Sequence, residues 1–261
     1  MVHRSDIDTF WKEAVDRVNH LRQLDDCNLV FGANTRGSGH KYEVYPIVSD
    51  SEIAYFEGSN GFELPEVYKS YLKNFGAGGA GPYYGVADFR QCVMQNLYPE
   101  PFPYNETVDY DEVDDDAPVW DYPGLAFLCT AGCGTDFLIE LNGSRPGRIW
   151  CDWTQECSTS DGTLIMMYEE WLTKTTVSLE RYHHLKSLAN QKNWLGRPKK
   201  LTFEFLVKEM KCTYKECTKE QGFSTIPEDQ IQVHFDQTPG IVILDRSKRV
   251  LGVTFDNMIQ I

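Results

Sequence analysis

Carboxylates concentrated in one segment are the residues of this 261-residue chain best suited to chemistry. Residues 91–144 contain eleven Asp and Glu and no Lys, Arg or His, in a chain whose net charge is −14. The densest part, residues 105–122, is NETVDYDEVDDDAPVWDY, with aromatic residues between the acids. Closely spaced carboxylates repel one another unless a cation or a basic partner neutralises them. The chemistry to expect here is therefore binding, either of a cation or of a basic macromolecule.

Three interpretations of residues 105–122 are open. The segment has no helical or strand period, which predicts a long exposed loop between two strands, and such loops are usually functional or disordered. The first interpretation is a solvated loop with no specific role. The second is a docking surface for a basic protein such as a nuclease, because charge steers the encounter and aromatic rings supply contact area. The residues expected to make contact are Asp109, Asp111, Glu112, Asp114, Asp115, Asp116 and Trp120.

The third interpretation is a calcium site, and the spacing disfavours it. Asp109, Asp111 and Asp114 resemble the start of an EF-hand loop, but Gly is missing at the sixth position and Glu at the twelfth. The chain has eight cysteines and no C-x-x-C pair, so free thiols are expected rather than a zinc site. His183 and His184 are adjacent, with no partner one helical turn away. The sequence therefore predicts no metal and no other cofactor.

The usual catalytic motifs are missing from the sequence. There is no G-x-S-x-G, no H-E-x-x-H and no P-loop, and nothing places a nucleophile beside a base. Gly76, Gly78 and Gly81 satisfy G-x-G-x-x-G, but a dinucleotide site needs that motif between a strand and a helix, whereas here it follows a helical pattern. We expect a binding protein rather than an enzyme, with an enzyme of unfamiliar reaction as an open alternative.

Composition also restricts the partners and the compartment. Phosphate binding needs a basic stripe, and the nearest candidate is the short run at 197–200, so no nucleic-acid binding is expected. No run of about 18 apolar residues is present, which predicts no transmembrane helix. The charged, amphipathic N-terminus lacks the apolar core of a secretory signal. The sequence thus predicts a cytoplasmic protein without membrane contact, and leaves its oligomeric state open.

The segment at 62–85 predicts the clearest element. Pro65 suits the first position of a helix because its φ is fixed and it lacks an N–H. Val67, Tyr68, Tyr71, Leu72 and Phe75 form the apolar stripe of that helix. Gly76 stands where a left-handed C-cap is expected, and the glycines that follow allow a tight loop leading to a strand at 83–87.

This helix and glycine loop resemble the SUKH superfamily, whose members typically show LP-x-x-Y, an aromatic residue and a Gly-rich turn. The corresponding residues here are Leu64, Pro65, Tyr68, Phe75, Gly76, Gly78 and Gly79. Residues 131–150, which end in a strand closing on Trp150, and the pair Trp171-Leu172 in a late helix match in the same order. The resemblance spans roughly residues 6–188. It implies a bacterial immunity protein that neutralises a toxin, or alternatively a regulatory scaffold, for example in cell-wall assembly.

The remaining patterns predict an α+β fold. Helices are predicted at 6–24 and at about 163–189. Strands are predicted at 29–31, 42–48, 53–56, 125–130, 136–141 and 148–153, with Asn142-Gly143 as a hairpin turn. After residue 192, a helix is predicted at 202–211 and strands at 230–235, 241–244 and 250–255, with a turn at 245–249. We expect a twisted, mainly antiparallel sheet with packed helices in a SUKH-like domain at 1–192, and a small αβ extension at 193–261 packed on it.

Overall fold

The structure is a computed structural model, and it describes residues 4–26, 28–33, 39–109, 123–153, 156–190, 214–216, 230–235, 240–245 and 250–255. The chain divides into two compact units. The first comprises Met1–Asp26 and Phe31–Thr173, and the second comprises Cys27–Val30 and Lys174–Ile261. The predicted boundary at residue 192 lies outside the described residues, as do the predicted helix at 202–211 and most of the predicted turn at 245–249.

Helices and strands both contribute to the fold. The helices are α1 (Arg4–Leu24), α2 (Asp50–Asn60), α3 (Glu66–Asn74) and α4 (Leu164–Asn190), with a π-helical turn at Phe89–Val93. The strands among the described residues are, in chain order, β1 (Val108–Asp109), β2 (Leu125–Gly132), β3 (Thr135–Glu140), β4 (Arg148–Trp153), β5 (Glu156–Thr163), β6 (Tyr214–Glu216), β7 (Gln230–Phe235), β8 (Gly240–Asp245) and β9 (Val250–Phe255).

The first unit contains a five-stranded antiparallel sheet in the order β1-β5-β4-β3-β2, which does not close into a barrel. The predicted α+β fold with a mainly antiparallel sheet is confirmed, and β2, β3 and β4 occupy the predicted segments. Sequence patterns missed β5, because ECSTSDGT has no alternation of apolar residues. In the second unit, β6 to β9 form an antiparallel meander whose last three strands were predicted.

The predicted strand at 53–56 is wrong, because these residues belong to α2. Ser49 caps this helix: its side chain accepts the backbone N–H of Glu52, and the Glu52 carboxylate accepts the backbone N–H of Ser49. Gly61 ends the helix in the left-handed conformation, with φ of 75°. This reciprocal capping box and glycine C-cap are signals of a helix that outweigh the short apolar run.

The predicted helix after Leu64 is present as α3. Pro65 occupies its N-cap position, one residue before the first helical position that the sequence predicted for it. The predicted left-handed cap at Gly76 is wrong: the C-cap residue is Phe75, and Gly76 is absent from the residues of positive φ. Glycine is instead required at position 76 because there is no room for a side chain: a Cβ there would overlap the carbonyl oxygen of Tyr45.

The loop at residues 76–81, which follows α3 and which we call the glycine loop, brings three backbone segments together. Gly78 and Gly79 have φ of 145° and 102°, where only glycine is comfortable. The Tyr45 N–H donates to the Gly78 carbonyl at 3.0 Å, and Gly79 and Val86 exchange two hydrogen bonds of 2.8 Å. The loop therefore packs directly against the backbone on both sides.

The strands predicted at 29–31, 42–48 and 83–87 are wrong for a related reason. The described parts of these segments contain single bridges or turns rather than strands, including Val44↔Gly79 and Gly79↔Val86. Pro46 has no N–H to donate to a ladder, and Tyr83 adopts a positive φ of 55°. The backbone groups of Val44, Tyr45 and Val86 pair with the irregular glycine loop instead of with a regular neighbouring strand.

Aromatic side chains from three helices form the centre of the first unit. The indole of Trp11 in α1 lies 4.9 Å from the ring of Tyr71, 6.0 Å from Phe75 and 5.1 Å from Tyr168, each edge to face. Such pairs add to the free energy gained by burying the rings. The Tyr168 hydroxyl donates to the carbonyl of Ala80 at 2.5 Å, so α4 is tied to the glycine loop.

Replacement of Gly76 by Ala should lower the free energy of unfolding by about 2 kcal/mol or more, because the added Cβ would collide with backbone. Gly58 in α2 is the matched control, since a Cβ there meets nothing within 4 Å. Gly58→Ala should stabilise by about 0.5–1 kcal/mol through higher helix propensity. Urea unfolding of both variants measures the difference, and equal effects would contradict the close approach.

His40 should make stability depend on pH. Its ring is buried beside the rings of Tyr42 and Trp171, and its Nδ1 accepts the Tyr42 backbone N–H at 3.0 Å. Burial lowers the pKa of His40 from 6.5 to about 4. The unfolded chain therefore binds a proton first, so the free energy of unfolding should be fully present above about pH 6.5 and fall by on the order of 3 kcal/mol towards pH 4.

Denaturant unfolding at several pH values tests this dependence. His40→Gln should remove most of the slope between about pH 6.5 and about pH 4.5, whatever its effect on absolute stability. His20→Gln, which changes an exposed histidine of α1, should leave the slope in place. A wild-type stability that stays constant over this range would contradict the burial of a neutral His40.

Candidate functional site

Of the seven residues predicted to contact a partner, the structure describes Asp109. It is exposed and lies in β1, the two-residue strand at one edge of the sheet, where it pairs with Glu156 of β5. The predicted contacts Asp111, Glu112, Asp114, Asp115, Asp116 and Trp120 lie outside the described residues. The acidic segment 110–122 thus begins at a defined place, the β1 edge of the sheet.

One sheet face remains partly open near this edge. Phe137 of β3 pairs with Cys151 of β4, and Trp153, two residues further along β4, pairs with Glu156 of β5. Because side chains alternate along a strand, all four lie on the same face. Phe137, Cys151 and Glu156 are half-buried, and Trp153 is 45% exposed. We call these four residues, together with Tyr83, the open face.

Tyr83 joins the open face from outside the sheet. Its ring stacks on that of Phe137, with centroids 4.8 Å apart and planes inclined by 12°. The Tyr83 backbone has a positive φ of 55°, a conformation that costs a non-glycine residue free energy. Gly32 allows this arrangement, since a Cβ at Gly32 would overlap the Tyr83 carbonyl. The stacked ring is therefore held by the surrounding backbone.

Carboxylates surround the open face. Glu156 belongs to it, and Asp109 is its neighbour on β1. Burial raises the pKa of the Tyr83 hydroxyl, and the thiols of Cys129 and Cys151 and the carboxylate of Glu170 in α4 add to the increase. Glu170 is exposed and lies near enough to Tyr83 to act on it. Aromatic rings and negative charge are thus combined on one surface.

The opposite sheet face is closed. Phe102, Leu125, Trp150 and Cys157 form a buried cluster there, with the rings of Phe102 and Trp150 4.7 Å apart. Burial, followed by the nearby Asp152, raises the pKa of the Cys157 thiol to about 12. The face of Phe137 and Cys151 is also packed over much of its length, since Ile139 and Ile149 on it are buried. Its exposure is confined to the end near β1, where Trp153 lies.

A buried carboxylate organises the β3–β4 connection. Glu140 accepts the Arg145 backbone N–H at 2.6 Å and the Trp150 indole N–H at 3.1 Å. The predicted two-residue hairpin turn at Asn142-Gly143 is wrong, because the connection spans residues 141–147 and folds around this carboxylate. Gly143 is required by space, since a Cβ there would overlap the Glu140 side chain.

The residues of the SUKH motif lie in the interior. Leu64, Tyr68, Phe75 and Trp150 are buried, and Gly76, Gly78 and Gly79 lie in the close backbone contacts of the glycine loop. Pro65 precedes α3. These residues therefore contribute to packing in the first unit.

A separate groove of about 460 Å³ lies between α2 and the π-helical turn. Tyr55 and Leu97 line it and are 67% and 69% exposed. Arg90, which also lines it, donates to the Glu52 carboxylate at 2.6 Å and keeps the pKa of Glu52 near 2, together with Ser49. The arginine is therefore neutralised within the protein.

The open face was missed by sequence reasoning, although a charge signal for it exists. Residues 149–173 contain five carboxylates and, like residues 91–144, no Lys, Arg or His. The acidic stretch therefore extends from 91 to 173, with Arg145 and Arg148 as its two basic residues. What a sequence cannot show is which aromatic residues within that stretch meet on one face.

Neither a metal centre nor a membrane span emerges from the described residues. No group of three or more His, Cys, Asp or Glu in that part of the chain is arranged to hold a metal ion. None of its helices has the length and apolar character needed to cross a bilayer. The five described cysteines, Cys92, Cys129, Cys133, Cys151 and Cys157, are free thiols.

Comparison with known proteins gives a family match over part of the chain. Residues 47–171 match the model of the SMI1 / KNR4 family (SUKH-1). The predicted resemblance to the SUKH superfamily is confirmed over these residues, which include the acidic segment and the open face. No curated protein and no solved structure matches the chain.

Thiol labelling should distinguish the buried from the accessible positions of the sheet. Iodoacetamide at mildly alkaline pH should modify the exposed Cys133 first and the half-buried Cys151 more slowly. Cys129 and Cys157 should react after unfolding, because burial raises both pKa values and excludes the reagent. Mass spectrometry of tryptic peptides measures each site. Labelling of Cys157 as fast as Cys151 would contradict the closed face.

Proposed function

We propose that this protein is an immunity protein that binds and neutralises a basic toxin, for example a nuclease, without catalysing a reaction. A SUKH-1 domain fits two classes of protein, immunity proteins and cell-wall regulators. The observation that favours toxin capture is the charge distribution: sixteen carboxylates and two arginines occupy residues 91–173. Such a concentration of like charge is costly to the free protein and is relieved by a basic partner.

The proposed contact residues are Asp109, Asp111, Glu112, Asp114, Asp115, Asp116 and Trp120. Their carboxylates would accelerate encounter with a basic surface, and Trp120 would supply buried contact area. A nuclease suits this chemistry, because a surface that attracts phosphates also attracts carboxylates. Covering that surface would block access of nucleic acid, so binding alone would neutralise the toxin.

A regulatory scaffold, for example in cell-wall assembly, is the second candidate. The match to the SMI1 / KNR4 family (SUKH-1) fits this role as well, and an acidic surface suits recruitment of basic partners in either role. The two candidates differ in what the partner does: an immunity partner kills cells when it is expressed alone, and a scaffold partner does not.

Co-expression with the product of the gene immediately upstream tests the proposal. We expect that product to arrest growth when expressed alone, and to be harmless and recovered by affinity pull-down when this chain is present. Partner binding without toxicity would favour the scaffold. Neither binding nor rescue would refute immunity for that pair.

Charge reversal tests the docking surface. Replacing Asp114, Asp115 and Asp116 with Lys should weaken binding at least about tenfold and reduce rescue. The matched control replaces Glu13, Asp16 and Glu43, three exposed acids outside the acidic stretch, with Lys. Both triple variants change the net charge equally, so equal losses would show that net charge rather than this surface determines binding.

A further inference from the structure

We propose that the open face is the docking site for arginine side chains of a basic protein partner. This inference rests on the proposed function and assigns the recognition to a surface that the sequence did not indicate. It concerns Tyr83, Phe137, Cys151, Trp153 and Glu156, five residues from three strands and one loop.

The surface has the composition that arginine recognition needs. The planar guanidinium group stacks on aromatic faces while donating hydrogen bonds in its own plane, which the ammonium group of lysine does less well. Trp153 presents an indole that is 45% exposed, and Glu156 stands directly opposite it across the β4–β5 pair. Side chains paired in this way have Cβ atoms about 5 Å apart, so one guanidinium can contact both.

The open face is also preorganised. The Tyr83 and Phe137 rings already stack, and the Tyr83 backbone is held by its close approach to Gly32. Strand pairing fixes Phe137, Cys151 and Trp153 relative to one another. Rigid aromatic surfaces lose little conformational entropy on binding, which increases affinity.

Charge complementarity specifies the occupant. Among the described residues, Glu156 makes no salt bridge, whereas Glu52, Glu57 and Glu169 are each paired with a basic side chain. The open face lies next to β1, where the acidic segment begins. The acidic segment would attract a basic partner, and the aromatic surface next to β1 would then bind the arginines of that partner.

The groove of Tyr55 and Leu97 provides the matched comparison. Its Tyr55 and Leu97 side chains are more exposed than Trp153, but its arginine is paired with Glu52 inside the protein. It therefore offers exposed apolar contacts without the unpaired carboxylate and the strand-aligned aromatic rings of the open face.

A peptide-binding experiment tests the inference without knowledge of the partner. The probes are a fluorescent peptide alternating arginine with glycine and the same peptide with lysine in place of arginine. Fluorescence anisotropy should show the arginine peptide binding about fivefold more tightly to the wild type. Trp153→Leu, which keeps an apolar side chain but removes the ring, should abolish this preference, and Glu156→Gln should weaken both peptides.

Tyr55→Leu and Glu63→Gln are the controls, and both should bind like the wild type. Unfolding curves should confirm that the Trp153 and Glu156 variants are folded. Bound arginine peptide should also slow iodoacetamide labelling of Cys151 relative to Cys133. The inference is overturned if the wild type binds neither peptide or shows no preference, if Trp153→Leu binds like Tyr55→Leu, or if Cys151 is not protected.

The experiments distinguish a failure of arginine recognition from a failure of the proposed immunity function. If the peptides bind as expected but no toxin is neutralised, arginine recognition stands and the immunity role does not. If toxin rescue succeeds but Trp153→Leu has no effect on peptide binding, immunity stands and the contact surface lies elsewhere.

Discussion

The close approach of three backbone segments at the glycine loop is the constraint on which the first unit depends. Residues 43–45 and 86–87 contact this loop on either side, at distances that admit no side chain at Gly76, Gly78 or Gly79. Helix α3 leads into the loop, and α4 is tied to it by the Tyr168 hydroxyl. Because tightly packed interiors cannot absorb an added methyl group without strain, the glycines are structural residues rather than a phosphate site.

This constraint also produces the surface that we assign to binding. The chain leaving the glycine loop turns at Pro82 and Tyr83, and the left-handed Tyr83 places its ring on Phe137 of the sheet. Ile139 and Ile149 are buried on the same face as Phe137, so the exposure of that face is confined to its end near β1, at Trp153. Strand β1, after which the acidic segment begins in the sequence, forms that same edge.

Elements with strong local signals could be predicted from the sequence. The apolar stripes of α1 and α3, the apolar runs of β2 to β4 and those of β7 to β9 all indicated the observed structure. Helix α2 was missed because its short apolar run at 53–56 was interpreted as a strand. Its capping residues, Ser49 and Glu52, favour the observed helix more strongly than that run favours a strand. Strand β5 was missed because its stability comes from its neighbours rather than from its own polar sequence.

The candidate site was predicted in part for a similar reason. Charge is additive along a chain, so the acidic segment could be recognised by counting. The open face depends on strand register, which brings together Tyr83, Phe137 and Trp153 from positions far apart in the sequence. Register follows from the packing of the whole sheet, and no local pattern within these segments specifies it.

The salt dependence of partner binding tests the central claim most directly, because exposed charges are screened over about 8 Å at physiological ionic strength. We would measure the Kd of the complex with the upstream gene product by calorimetry from about 50 mM to about 500 mM NaCl. A Kd that rises at least about tenfold over this range is the result that capture by an acidic surface predicts. A Kd that changes less than about twofold would contradict the account and direct attention to an apolar surface such as the groove at α2.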